Sequence, residues 1–317
     1  MKPSCLIVDQ MHASIIPLLE EAGITVSYQP EIPAAAVKSA LKGFQALIVR
    51  SKLAITPDVL LEADELKVIA RAGAGIDNIE MPALAARNIS LVNAPEGNRD
   101  AVGEFTIGLL LDLFRNISKS DAEVRRQEWH REANRGEEIS GKTVAILGYG
   151  NMGKAFACRL AGFGCKVIAY DTAGRRVFDK YARKVSLEEV FEQADVVSFH
   201  IPLNPKNFRL ANEAFFARFQ KPIWVLNTAR GEIMDYGALV KGLENGTIKG
   251  AGLDVLENEK LNALSPAQQE VFNYLAASRK VVLTPHVAGW THQSYVKINQ
   301  VLVSKLQSVL FQNDALR

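Results

Sequence analysis

"TVAILGYGNMGKAFACRLAGFGCKVIAYD", residues 143–171, decides the fold. Thr143 to Leu147 form a short apolar run of the kind that suits a buried strand of a parallel sheet. The run opens directly into Gly148, Gly150 and Gly153 at G-x-G-x-x-G spacing, followed by residues with helical periodicity. Gly148 permits a tight turn, Gly150 lets a pyrophosphate approach the backbone, and Gly153 lets helix and strand pack closely. The N-terminus of that helix then faces the anion. A second strand-like run, Lys166 to Tyr170, ends at Asp171. A carboxylate there accepts hydrogen bonds from both ribose hydroxyls of the cofactor and repels a 2'-phosphate, which points to NAD rather than NADP. A glycine triplet by itself can serve packing alone; strand, glycines, helix and acid in register give it the dinucleotide reading.

The same alternation continues on both sides. Upstream lie "CLIVD" (5–9), "ITVSY" (24–28), "ALIV" (46–49), "KVIA" (67–70) and "SLV" (90–92), separated by stretches of helical spacing. Downstream lie "DVVSF" (195–199), "IWVLN" (223–227), "AGLDV" (251–255) and "KVVLT" (280–284). This predicts an α/β fold with two doubly wound parallel sheets, the second a Rossmann NAD-binding unit. One long helical stretch from Glu104 to about Arg135 is expected to join them, and another helical stretch runs from Thr291 to Arg317.

Composition narrows the partners. At 317 residues and 48% hydrophobic, the chain is long enough for two cored domains. A net charge of +2 provides no basic field for nucleic acid. Cys5, Cys158 and Cys165 are too scattered for a disulfide framework or a metal site, so no metal is expected and free thiols suit a reducing cytoplasm. The opening "MKPSCLIVDQ" has too short an apolar run for a secretory signal, and no run reaches membrane-spanning length.

Ligands of doubly wound sheets bind beyond the carboxyl ends of the strands. Three polar residues follow strands of the second sheet: Arg230 after "WVLNTA", Glu259 after "GLDVLEN", and His286 after "VVLTP". An imidazole exchanges protons near neutral pH, a carboxylate beside it orients the ring, and a guanidinium can grip a substrate carboxylate in bidentate fashion. With a nicotinamide cofactor, these groups suit hydride transfer at the carbon next to a carboxylate. The alternatives are that Arg230 bridges loops and Glu259 is a solvated loop carboxylate.

These residues resemble the D-isomer-specific 2-hydroxyacid dehydrogenases. The resemblance covers nearly the whole chain, through "VRS" (49–51), "ARAGAGIDNI" (70–79), "NAPEGN" (93–98), "GYGNMG" (148–153), "NTARGEI" (227–233), "GAGLDVLENE" (250–259) and "TPHVAG" (284–289). It implies Arg230, Glu259 and His286 as catalytic residues. Cofactor contacts are implied at Ala74, Gly148, Gly150, Asn151, Met152, Gly153, Asp171, Ile201, Thr228, Ala229, Asp254, Ala288 and Gly289. The amides of Ala74 and Gly75 are implied to hold the substrate carboxylate. A discontinuous flavodoxin-like substrate domain is implied over 1–98 plus 290–317 and the NAD-binding domain over 99–289, with a helix near Glu104 to Arg115 forming much of a homodimer contact.

Within the family, the chain is most similar to the branch acting on D-3-phosphoglycerate. Arg50 and Arg71 end strands of the first sheet, with Lys52 nearby, and suit a second anionic group on the substrate. Pairing of one arginine with an acid such as Asp77 is the alternative. Trp290 either lines the substrate site or packs within the protein. Other members of the family, such as glyoxylate or hydroxypyruvate reductases, and an NAD-sensing corepressor, stay open. Three departures stand out: Lys260 follows Glu259 where relatives often have proline, the connection 260–278 is long, and "NPKNFRLAN" (204–212) lacks a usual threonine. The sequence ends at Arg317, so feedback through the C-terminal regulatory domain of longer relatives is not expected.

Overall fold

The computed structural model describes residues 2–173 and 178–311. The last six residues of the expected terminal helix, 312–317, lie outside the described residues. The chain divides into two compact units, one holding residues up to Arg99 together with those from Trp290 onward, the other Asp100–Gly289. Among the described residues, no helix is long and apolar enough to cross a membrane.

The first unit is built on a five-stranded parallel sheet of β1 (Ser4–Ile7), β2 (Thr25–Tyr28), β3 (Ala46–Val49), β4 (Val68–Arg71) and β5 (Ser90–Asn93) in the order β2-β1-β3-β4-β5. This is the flavodoxin-like order. Successive residues of a strand face opposite sides, and the core divides accordingly. Leu6, Leu47, Val49 and Ile69 join one apolar cluster, while Cys5, Ile7, Ala46, Ile48, Val68 and Ala70 join the other. The second cluster also contains Leu302, Val303, Leu306 and Leu310 of the terminal helix His292–Phe311, which thus returns to cover one face of the first sheet. Lys305 secures it by donating to the carbonyl of Asn93 at 2.9 Å and to both carboxylate oxygens of Glu96.

The second unit carries a seven-stranded parallel sheet. Its strands are β6 (Thr143–Leu147), β7 (Lys166–Tyr170), β8 (Arg183–Lys184), β9 (Val196–Phe199), β10 (Ile223–Asn227), β11 (Ile248–Leu253) and β12 (Val281–Leu283). The order is β12-β11-β10-β9-β6-β7-β8, which reverses direction between β6 and β9. Two apolar layers again sandwich the sheet; Leu109, Leu110, Leu113 and Phe114 cover one face against Val144, Ile146, Val196 and Leu226. The two-residue β8 has no apolar run to announce it and was not anticipated.

The expected single helical stretch from Glu104 to Arg135 is corrected by the structure. The helix starts earlier, spans Pro95–Arg115, and stops at Asn116, whose φ is +54°. Asparagine tolerates this left-handed conformation better than most residues. Asp112 then captures the backbone amide of Ser118 at 2.7 Å, along with its hydroxyl, and a separate helix runs Ile117–Arg125. The long connection after Glu259 holds a short 3-10 turn, Leu261–Ala263, and a helix, Pro266–Ala277, started by a reciprocal capping box between Ser265 and Gln268.

Gly97 lies directly against the terminal helix, since a Cβ placed there would lie 2.6 Å from the backbone of Ile298. Gly97→Val is expected to destabilise the first unit by about 1–3 kcal/mol through overpacking. Urea unfolding measures this, and a midpoint equal to that of the parent would contradict the packing described.

Candidate active site

The glycine loop follows β6 at the point where strand order reverses, the position at which such sheets bind ligands. Gly148 has φ +95°, and a Cβ there would come 2.5 Å from the carbonyl oxygen of His200. A Cβ on Gly153 would be 2.1 Å from the carbonyl oxygen of Gly148. Glycine is therefore required at both positions. Gly150 caps the helix Asn151–Leu160, whose first two residues are the expected cofactor contacts Asn151 and Met152. Asp171 follows β7, and its carboxylate accepts the amides of Tyr149 and Ala173, both at 2.7 Å. The acid and the glycine loop are thus joined directly. Ile201 meets the same loop, its Cγ2 within 2.8 Å of the space a Gly148 Cβ would take.

Arg230, Glu259 and His286 follow three adjacent strands, β10, β11 and β12. Each turn is fixed by its own device. After β10, the buried Asn227 accepts the amide of Ala229 at 3.0 Å and donates to the carbonyl of Arg230 at 2.9 Å. Arg230 donates to the carbonyl of Ala229 at 2.6 Å. Gly231 lies directly on the segment after β11, since a Cβ there would be 1.9 Å from the oxygen of Leu256. Thr228 is buried, with its hydroxyl 3.3 Å from that of Thr106.

After β12, the chain is organised by Asp254. Its carboxylate is buried and accepts the Thr284 hydroxyl at 2.6 Å and the amides of Val287 and Ala288 at 2.9 and 2.8 Å. Its carbonyl accepts the amide of His286 at 2.8 Å. Asp254, expected at the cofactor, therefore has both carboxylate oxygens engaged in holding the histidine's loop. His286 itself has φ +55°, a conformation that costs a non-glycine residue on the order of 1–3 kcal/mol. The hydrogen bonds to Asp254 offset that strain.

The outcome is a histidine gripped by a carboxylate. His286 Nδ1 lies 2.9 and 3.1 Å from the two oxygens of Glu259. The side chains of His286 and Glu259 are 44% and 49% exposed, so the ring remains accessible to a substrate. With Nδ1 engaged, Nε2 is the nitrogen left to exchange a proton. A second histidine at a strand end, His200 after β9, is ruled out for that role. Its Nε2 is 2.8 Å from the Ser198 hydroxyl, and loss of hydration around the ring pushes its pKa down to about 3. The segment bearing Glu259 is pinned by Asn258, which accepts the amide of Lys260 at 3.0 Å, and by an ion pair between Glu257 and Arg209. Arg209 also has positive φ, +47°. Neither Asn258 nor Arg209 was singled out from sequence; the missing threonine in 204–212 was the only sign that this loop is unusual.

The first unit carries the remaining candidates. Arg71 ends β4 and folds back so that its Nη1 occupies the space where a Gly73 Cβ would stand. The loop bearing Ala74 and Gly75 is held by Asn93, whose amide donates to the Ala74 carbonyl at 2.7 Å. Arg50 follows β3, and its guanidinium lies 4.4 Å from the ring centre of Trp290. The structure thus brings two expected substrate residues, Arg50 and Trp290, into contact.

Residues 107–288 match the NAD binding domain of the D-isomer-specific 2-hydroxyacid dehydrogenases. The chain belongs to this family. The D-3-phosphoglycerate dehydrogenase of Methanocaldococcus jannaschii is 32% identical over 96% of this chain and 57% of its own length. The hydroxypyruvate reductase of Thermotoga maritima is 34% identical over 82% of this chain and 83% of its own. A solved D-2-hydroxyisocaproate dehydrogenase superposes with a TM-score of 0.83 at 27% identity, covering 98% of this chain and 97% of that one. The chain spans about half the length of the phosphoglycerate dehydrogenases it matches.

The cofactor of this dehydrogenase is NAD. Its cradle fits the group: two glycines leave space that a Cβ would fill, a helix N-terminus faces the loop, and Asp171 stands at the end of β7. Asp171→Ala is expected to raise KM for NADH about tenfold or more while narrowing the gap to NADPH. Steady-state kinetics with both cofactors checks this, and comparable efficiency of the parent with NADH and NADPH would contradict it.

Proposed function

We propose that this dehydrogenase oxidises D-3-phosphoglycerate to 3-phosphohydroxypyruvate, a step of serine biosynthesis. When bound, NAD supplies the hydride acceptor. Arg230 grips the substrate carboxylate. His286 Nε2 takes the proton of the substrate hydroxyl as its C–H bond breaks, and Glu259 on Nδ1 stabilises the imidazolium that forms. Run in reverse, the same pair delivers the proton to the carbonyl oxygen.

The observation that carries the substrate assignment is Arg50. Its guanidinium contacts Trp290 and Tyr295, and among the described residues no carboxylate forms an ion pair with it. A guanidinium without an acid partner suits a substrate that brings its own second anion. The similarity to a hydroxypyruvate reductase supports the competing reading, in which the substrate has no phosphate. We further read the protein as a cytoplasmic homodimer. Its three cysteines are free, and Ile117, Val124 and Trp129 expose apolar surface just beyond the long helix.

Two measurements test this reading. His286→Gln should lower kcat by about 10²- to 10⁴-fold with NADH binding retained; parent-like turnover would remove His286 from the chemistry. Arg50→Ala and Arg71→Ala should raise KM for 3-phosphohydroxypyruvate far more than KM for glyoxylate. Equal losses on both substrates, or no turnover of the phosphorylated acid with NADH, would overturn the substrate assignment.

A further inference from the structure

Arg50 is held on more than one side. Its guanidinium carbon lies 4.4 Å from the Trp290 ring centre and 4.9 Å from that of Tyr295, and the two rings pack edge to face with centres 5.0 Å apart. Arg50 Nη1 also donates a hydrogen bond to the Tyr295 hydroxyl. Stacking on aromatic faces restricts the rotamers of an arginine without neutralising it, so its outward donors keep their full charge.

Tyr295 is itself firmly placed. It lies in the first turn of the terminal helix, where Thr291 and Ser294 cap each other reciprocally, each side-chain oxygen accepting the other's amide at 3.0 Å. One turn further on, the buried Asn299 donates to the His12 carbonyl and the Ser14 hydroxyl at 3.1 and 3.0 Å. The base of Arg50 is fixed as well, because its amide donates to Asp9 at 2.7 Å. A phenolic hydroxyl both accepts and donates. That of Tyr295 accepts from Arg50, and among the described residues its own proton has no acceptor.

We propose that Arg50, Tyr295 and Trp290 form one receptor for the phosphate at the far end of the substrate, with Tyr295 both bracing the guanidinium and donating a second hydrogen bond to the anion. This rests on the phosphoglycerate reading and adds to it a specificity-determining residue, Tyr295, with Trp290 as the second wall that keeps Arg50 in place.

The test is steady-state reduction of 3-phosphohydroxypyruvate, 2-oxoglutarate and glyoxylate with NADH, using the full chain. Tyr295→Phe keeps the ring and removes only the hydroxyl. It should raise KM for the phosphorylated acid about tenfold or more, leaving kcat, KM for NADH and KM for glyoxylate within about twofold. Trp290→Leu, at an exposed position, should raise the same KM several-fold with the same selectivity. Parent-like KM for the phosphorylated acid in both variants, or an equal rise on glyoxylate, overturns the receptor. A rise on 2-oxoglutarate without one on the phosphorylated acid overturns the phosphate assignment. Arg50→Ala separates the two layers of the argument. A selective loss there with none in Tyr295→Phe overturns the receptor alone, while no selective loss in Arg50→Ala overturns the substrate reading as well.

Discussion

The buried carboxylate of Asp254 is the constraint on which the geometry of the candidate site depends. One side chain, at the end of β11, accepts a hydroxyl and two amides from the segment after β12, and its carbonyl takes a third amide. Those bonds hold His286 in a left-handed conformation that an isolated chain would leave, and so set its imidazole against Glu259. The strain is local, and the hydrogen bonds that offset it come from a neighbouring strand rather than from the histidine's own segment.

Such an arrangement is natural at the edge of a parallel sheet. β10, β11 and β12 are neighbours running the same way, so their carboxyl ends bring three turns side by side. Arginine, glutamate and histidine are then delivered from separate stretches of chain by a rigid base. The adjoining turns interlock as well: Gly231 lies on Leu256, and the carbonyl of Asn227 accepts the amide of Asp254 at 3.0 Å. Moving any one of these turns would disturb its neighbour, which keeps the positions of Arg230, Glu259 and His286 narrow.

The first unit follows a different logic. Its sheet is completed by a helix from the other end of the sequence, and that helix carries Tyr295 in its first turn with Trp290 just before it. Burying Leu302, Leu306 and Leu310 against the sheet therefore also fixes where two aromatic rings meet Arg50. Packing energy of the core and orientation of the Arg50 guanidinium come from the same helix.

Sequence alone determined the features that are local and periodic. Alternating strands and helices, the glycine spacing at 148–153 with Asp171 beyond it, and the polar residues after "WVLNTA" and "VVLTP" follow from residue type and short-range sterics, and they were legible without coordinates. The end of the long helix was not, because helical periodicity continues past Asn116 and the break depends on a left-handed residue and an aspartate cap. Tertiary structure alone decided the work of Asp254, Asn93, Arg209 and Tyr295. Each acts on a backbone or side chain that another turn brings within reach, often far away in the sequence. Tyr295 and Arg50 are 245 residues apart, and no pattern in either segment names the other. Such pairings exist only once the strands have been ordered and the terminal helix has closed over the first sheet.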